Sequence, residues 1–102
     1  MQPNHLLTDM RWAQDRLGPK RSATSYAWLG FLNKGVPLAF GTDYPVEPVT
    51  PFRGLYAAVT RKSENGKQEY FPAQRLTIDQ AIAAYTSGAA FAEWARRFRG
   101  CP

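Results

Sequence analysis

Cysteine and histidine are nearly absent: each occurs once in 102 residues, as Cys101 and His5. One cysteine excludes a disulfide framework within the chain and any Cys-x-x-Cys metal pattern. Its place beside the terminal Pro102 argues against a nucleophilic role. One histidine excludes a His-x-His pair. A carboxylate and one distant histidine fall short of a catalytic zinc site, which normally takes three protein ligands. No Ser/His/Asp or Cys/His arrangement can be assembled, and no Gly-rich phosphate loop is present; Thr86-Ser87-Gly88 reads as helix punctuation. No apolar run approaches the roughly 20 residues of a membrane span, so no membrane partner is expected. Met1 is followed by polar residues rather than by a basic start and an apolar core, so no signal peptide is expected and a cytoplasmic location is the default. Neither an internal repeat nor a low-complexity segment appears.

What remains is 44% hydrophobic and 21% charged, a balance that suits one small globular unit over residues 1–102 rather than a disordered segment. The formal net charge is +5, with an isoelectric point near 9.7. A basic balance can mark a nucleic-acid partner. Here the basic residues are scattered, with one cluster at Arg96-Arg97-Phe98-Arg99 and no nucleic-acid-binding motif beside it. A solvated surface is the reading, and no nucleic-acid partner is expected.

The chain is organised around Val36-Pro37-Leu38-Ala39-Phe40-Gly41-Thr42-Asp43-Tyr44-Pro45. Residues 36–40 have the length and the unbroken apolar character of a strand buried on both faces. Asp43 falls just past its C-terminal end, the edge of an α/β sheet where ligands and catalytic groups gather. The alternative is an Asp that caps a turn. Tyr44 either lines a pocket or packs as core. Glu47 either orients a substrate, binds the loop or is a solvent-exposed loop charge. His5 follows Pro3 directly and is a candidate for a site role through the acid–base and metal chemistry of imidazole.

Around this stretch the pattern is helical. Thr8 or Asp9 can cap a helix to about Leu17, ended by Gly18-Pro19. Ser22 or Ser25 opens a second helix with Tyr26, Trp28, Leu29, Phe31 and Leu32 on a broad apolar surface, and Gly35 closes it. A Pro-rich loop carrying Pro45, Pro48 and Pro51 follows. Thr50-Pro51 is a cap with a first-turn proline, and the helix runs to about Arg61 with Phe52, Leu55, Tyr56 and Val59 on its apolar face. Residues 62–74 hold the turn signal Asn65-Gly66. Thr77-Ile78-Asp79-Gln80 is a capping box, and Thr86-Ser87-Gly88 can break that helix and recap another to about Arg97.

Gly41-Thr42-Asp43-Tyr44-Pro45-Val46-Glu47-Pro48 resembles the last barrel-strand motif of the amidohydrolase superfamily, in particular its metal-dependent amidohydrolase 3 branch. Met1-Gln2-Pro3-Asn4-His5 with Asp9-Met10 resembles the preceding strand end of that branch. Leu55-Tyr56-Ala57-Ala58-Val59-Thr60-Arg61, the stretch from Leu76-Thr77 to Ala81, Tyr85-Thr86 and Ala89-Ala90 continue the match in order, to about Trp94.

The resemblance implies an α/β fold: a partial TIM barrel made of the last βα units, mostly helical with one or two short strands. The chain is far shorter than the roughly 250 residues of a complete barrel, so it is expected to be a C-terminal fragment. Residues 95–102 depart from the family pattern and are expected to be a non-native or disordered tail. The implied activity is metal-dependent hydrolysis of non-peptide C–N bonds in small amide-type substrates. Asp43 matches the family's metal-binding and catalytic Asp, which takes a proton from the metal-bound water and passes it to the leaving amine. His5, Tyr44 and Glu47 are the candidate substrate contacts. The implied cofactor is a divalent metal, zinc by preference, in the full-length parent, with none bound tightly by this chain alone. The rival reading is a non-catalytic helical domain that self-associates. Either way a homo-oligomer is expected, because a lone barrel strand leaves unpaired edges and apolar helix faces.

Overall fold

A computed structural model describes residues 1–98, apart from the side chains of Arg96 and Phe98. The order is α1 (Asn4–Asp9), α2 (Ala13–Ser22), α3 (Trp28–Asn33), α4 (Pro51–Thr60), a 3-10 turn (Pro72–Gln74), α5 (Ile78–Tyr85) and α6 (Ser87–Phe98).

Two helix starts, those of α4 and α5, lie where their local capping signals put them. Thr50 accepts from the Phe52 N–H at 3.4 Å, and Pro51 occupies the first turn of α4. At α5, the Gln80 N–H donates to Thr77 Oγ1 at 3.2 Å and the Thr77 N–H donates to Gln80 Oε1 at 2.9 Å, a closed capping box. Gly35, with φ 72°, follows α3 and donates to the Leu32 carbonyl. Gly18, with φ 75° and followed by Pro19, breaks α2 into two pieces.

Ser22 and Ser25 do not open a helix: Ser22 is the last residue of α2, and α3 begins at Trp28 with no side-chain cap. Two further expectations are corrected. Thr8 and Asp9 do not cap a helix; they are the last residues of one that begins at Asn4. No side-chain cap marks that start. The first helix is held by burial instead, with Asn4, Leu6 and Leu7 inside the molecule. The second correction concerns strands, of which the described residues contain none. Of residues 36–40, expected to be buried on both faces, Leu38 and Phe40 are buried but Val36 and Pro37 are exposed, and among the described residues no chain lies beside them to form a ladder. Met1 alone makes the contact: its ammonium donates to the Ala39 carbonyl at 2.6 Å and its carbonyl accepts from the Gly41 N–H at 3.1 Å. Bonds to residues two apart from one residue between them are the pattern of a parallel pair, one residue long. An isolated antiparallel bridge joins Lys62 and Glu69 across the Asn65-Gly66 turn.

The core lies between α1, α4 and α5. Ala57, Ala58 and Ala81 are fully buried, so the helix backbones approach closely. Gly54 and Gly88 take that further. A Cβ on Gly54 would stand 1.8 Å from the Tyr85 hydroxyl oxygen, and one on Gly88 2.0 Å from the Leu38 carbonyl oxygen. The second contact seats the start of α6 against residues 36–40. The Phe40 N–H donates to the Ala84 carbonyl at 2.9 Å, which fixes the same segment to the end of α5. Phe40 also packs edge-on against Trp28 and Tyr85, with ring centroids 5.8 and 5.4 Å apart.

Arg61 is the unusual core residue. It closes α4 at φ 54° and is fully buried. Its guanidinium donates to the carbonyls of Tyr70 at 2.8 Å and Tyr26 at 2.6 Å, and lies 4.8 Å from the Trp28 ring centre. Burial lowers its pKa to about 10. The expected apolar face of α4 is borne out except at Phe52, which is exposed. The expected tail begins inside α6, which carries residues 95–98; residues 99–102, with Cys101, lie outside the described residues. Arg97 of the basic cluster pairs with Glu93 one turn back.

Candidate functional site

Asp43 stands just beyond the buried segment in the left-handed region, at φ 59°. Asp tolerates that region better than most residues, and such conformations concentrate at functional sites. Its carbonyl accepts the Val46 N–H at 2.9 Å, so residues 43–46 form a turn, with the Tyr44–Pro45 peptide cis. The turn leaves the Asp43 side chain about half exposed.

His5, on the first turn of α1, reaches the turn from across the chain. Its Nε2 lies 3.2 Å from Asp43 Oδ2 and its Nδ1 lies 3.3 Å from Glu47 Oε1. The imidazole is therefore bracketed by two carboxylates. A neutral ring has one N–H and can donate to one of them; the imidazolium donates to both.

Glu47 is only 7% exposed, so the reading of it as a solvated loop charge does not hold. Thr8, one helical turn after His5, donates to its Oε1 at 2.8 Å, and Arg53 of α4 donates to its Oε2 at 2.8 Å. Arg53 also donates to Glu64 at 2.5 Å. Partial burial opposes the Arg53 charge, but the two carboxylates outweigh it and raise its pKa above the ordinary value. The Arg53 hydrogen bond in turn holds the Glu64 pKa below the usual value. The result is an alternating chain of groups, Glu64, Arg53, Glu47, His5 and Asp43, running from the surface to the turn. Tyr44 is 68% exposed and points away from the core, so it does not pack there.

Next to His5 opens a cavity of about 470 Å³ lined by Met1, Gln2, His5, Asp9, Tyr26 and Trp28. The Tyr26 hydroxyl donates to the Asp9 carboxylate. Burial, and then that carboxylate, raise the Tyr26 pKa. Sequence reasoning missed Thr8, Asp9 and Arg53 as partners of the site. With α1 starting at Asn4, Thr8 and Asp9 are the i+3 and i+4 neighbours of His5, and that spacing is the signal that was available. Among the described residues no group of three or more His, Cys, Asp or Glu side chains is arranged to hold a metal ion. Both His5 nitrogens face carboxylates, so Asp43 and His5 do not converge on a common point.

The model of the amidohydrolase family matches residues 1–98. The chain belongs to the amidohydrolase family. It is 38% identical over 102 residues to a putative amidohydrolase, YtcJ, of Bacillus subtilis (strain 168), covering 98% of this chain and 19% of that protein. It is 33% identical over 91 residues to the protein LONG AFTER FAR-RED 3 of Arabidopsis thaliana, covering 88% of this chain and 16% of that one. Among solved structures it is similar to an uncharacterized metal-dependent hydrolase from Pyrococcus horikoshii OT3, with a TM-score of 0.80 and 34% identity over 93% of this chain and 20% of that one. This amidohydrolase chain thus spans less than a fifth of the length of the curated relatives it matches. No helix among the described residues is long and apolar enough to cross a membrane.

Proposed function

We propose that this chain supplies one corner of a metal-dependent hydrolase that cleaves non-peptide C–N bonds in small amide-type substrates, as the last βα units of a TIM barrel. The observation that carries the reading is Asp43: a half-exposed carboxylate in a strained turn at the end of a buried segment, hydrogen-bonded to His5. Asp43 takes a proton from the attacking water and returns it to the leaving nitrogen, the work of a general base and then a general acid. A divalent ion, zinc by preference, supplies acidification of that water when bound. The residues of this chain do not fit a complete site for it. Asp43 is the one side chain here assigned to touch the ion. His5 faces the substrate side, and Glu47 holds the His5 ring from behind. Tyr44 is placed to meet substrate from the solvent side of the turn. The proposal includes a cytoplasmic setting.

Calorimetric titration with zinc tests the incompleteness of the site. The expected result is no tight binding, with Asp43→Ala giving the same heats. One tight site per chain, lost in Asp43→Ala, would contradict it.

Self-association is a second reading with its own observation. Phe31, Val36, Phe91 and Trp94 are 42% to 55% exposed, and a groove of about 520 Å³ runs between Leu32, Pro37, Leu38, Ala83 and Phe91. Exposed apolar surface of this kind favours association. Light scattering is expected to give a mass above 11.5 kDa; a monodisperse monomer that unfolds cooperatively would refute it.

A further inference from the structure

The cavity beside His5 has a polarity of its own. Asp9 contributes a carboxylate, and one donor, the Tyr26 hydroxyl, reaches it among the described residues. A carboxylate has about four acceptor positions, so acceptor capacity remains beyond that one bond. Tyr26 supplies an aromatic wall; Trp28, packed edge-on against it with centroids 6.1 Å apart and planes at 70°, is itself fully buried. A carboxylate beside an accessible aromatic ring suits an organic cation, which gains from the charge and from the ring face together. Two cations stand nearby. The Met1 ammonium is engaged with the Ala39 carbonyl, and burial lowers its pKa. The Arg61 guanidinium lies over the Trp28 ring with its N–H groups turned to the Tyr70 and Tyr26 carbonyls.

We propose that this cavity receives the amine side of the scissile bond, with Asp9 accepting its N–H groups and Tyr26 flanking its apolar body. The inference rests on the reading of the Asp43 site as a C–N hydrolase. Hydrolysis of an amide breaks the C–N bond and forms a C–O bond to the water oxygen. The nitrogen takes the water proton, and at neutral pH the carboxylic acid passes its proton to the amine, so the products are a carboxylate and an ammonium ion. The two products differ in the sign of their charge. Asp9 discriminates between them: it attracts the ammonium and repels the carboxylate.

Three probes of similar size test this on the whole chain: benzylamine, benzyl alcohol and benzoate, each titrated while the Trp28 indole N–H resonance is followed by NMR. Benzylamine is expected to shift that resonance saturably and to bind at least about tenfold more tightly than benzyl alcohol, the size of one hydrogen bond to a charged group. Benzoate is expected to leave the resonance in place. Asp9→Asn is expected to bring benzylamine down to the level of the alcohol. Equal binding of amine and alcohol, saturable binding of benzoate at Trp28, or an Asp9→Asn chain that binds benzylamine undiminished would each overturn the proposal. The three probes on the unsubstituted chain decide the matter even where Asp9→Asn fails to fold. Failure here leaves the Asp43 reading standing. Conversely, amine binding together with an Asp43→Asn enzyme of full activity would sink the catalytic reading and leave the cavity's preference intact.

Discussion

Replacing Glu47 with Ala separates a carboxylate that holds the site together from one that only meets substrate. Glu47 is buried, and accepts from Thr8 and Arg53 at 2.8 Å each while facing His5 at 3.3 Å. Its removal leaves the Thr8 hydroxyl without its acceptor and takes from Arg53 its more buried partner. Breaking one side of a buried pair costs about 3–5 kcal/mol. Arg53 is about one-fifth exposed and keeps Glu64, so the lower end applies, about 3 kcal/mol. In a chain of this size 1 kcal/mol moves Tm by about 4–8 °C, which puts the expected fall at about 12–24 °C. Glu47→Gln keeps the shape and one acceptor, and is expected to lose roughly half as much. Circular dichroism melts of the three chains at one concentration provide the comparison. A Glu47→Ala chain melting within about 3 °C of the parent would refute the positioning role and leave only a substrate contact.

Gly88→Ala is expected to lower stability by at least about 2 kcal/mol, because its Cβ would meet the Leu38 carbonyl at 2.0 Å and the obstacle is backbone rather than a movable side chain; an unchanged melt would show that α6 does not seat there. At alkaline pH the sign follows from the tyrosines. Burial raises the Tyr85 pKa to about 12 and also raises that of Tyr26. Above the ordinary value of 10.0 the unfolded chain loses these protons first, so it binds fewer protons and stability falls as pH rises from about 10 to 12. Arg61, lowered to about 10, acts in the opposite sense, one group against two. Melts from pH 9 to 11 should decline, less steeply in Tyr85→Phe; a rise would mean that the Arg61 contribution prevails.

Some local signals were legible, the caps read at Thr8/Asp9 and Ser22/Ser25 were not helix starts, and non-local relations were not legible. Thr50-Pro51, the Thr77–Gln80 capping box and Gly35 each depend on partners within about four residues, and each acts where the sequence places it. The start of α1 has no such signal: Pro3 and Asn4 enter a helix because Leu6 and Leu7 are buried beneath α4. Residues 36–40 are strand-like in composition, but a strand is a relation between chains, and among the described residues the pairing extends no further than Met1. Asp43 stands out in the motif as a candidate. Its partner His5 lies 38 residues away, and the burial of Glu47 comes from Thr8 and Arg53 on two different helices, so a loop glutamate looked like surface charge.

The catalytic assignment of Asp43 is tested most directly by Asp43→Asn in a holoenzyme, with residues 1–98 set in place of the matching segment of the Bacillus relative and the protein loaded with metal. Measured on one preparation, kcat for amide hydrolysis is expected to fall by at least roughly 10²–10⁴-fold while KM and Tm change little. A stable Asp43→Asn enzyme with full kcat would contradict the account.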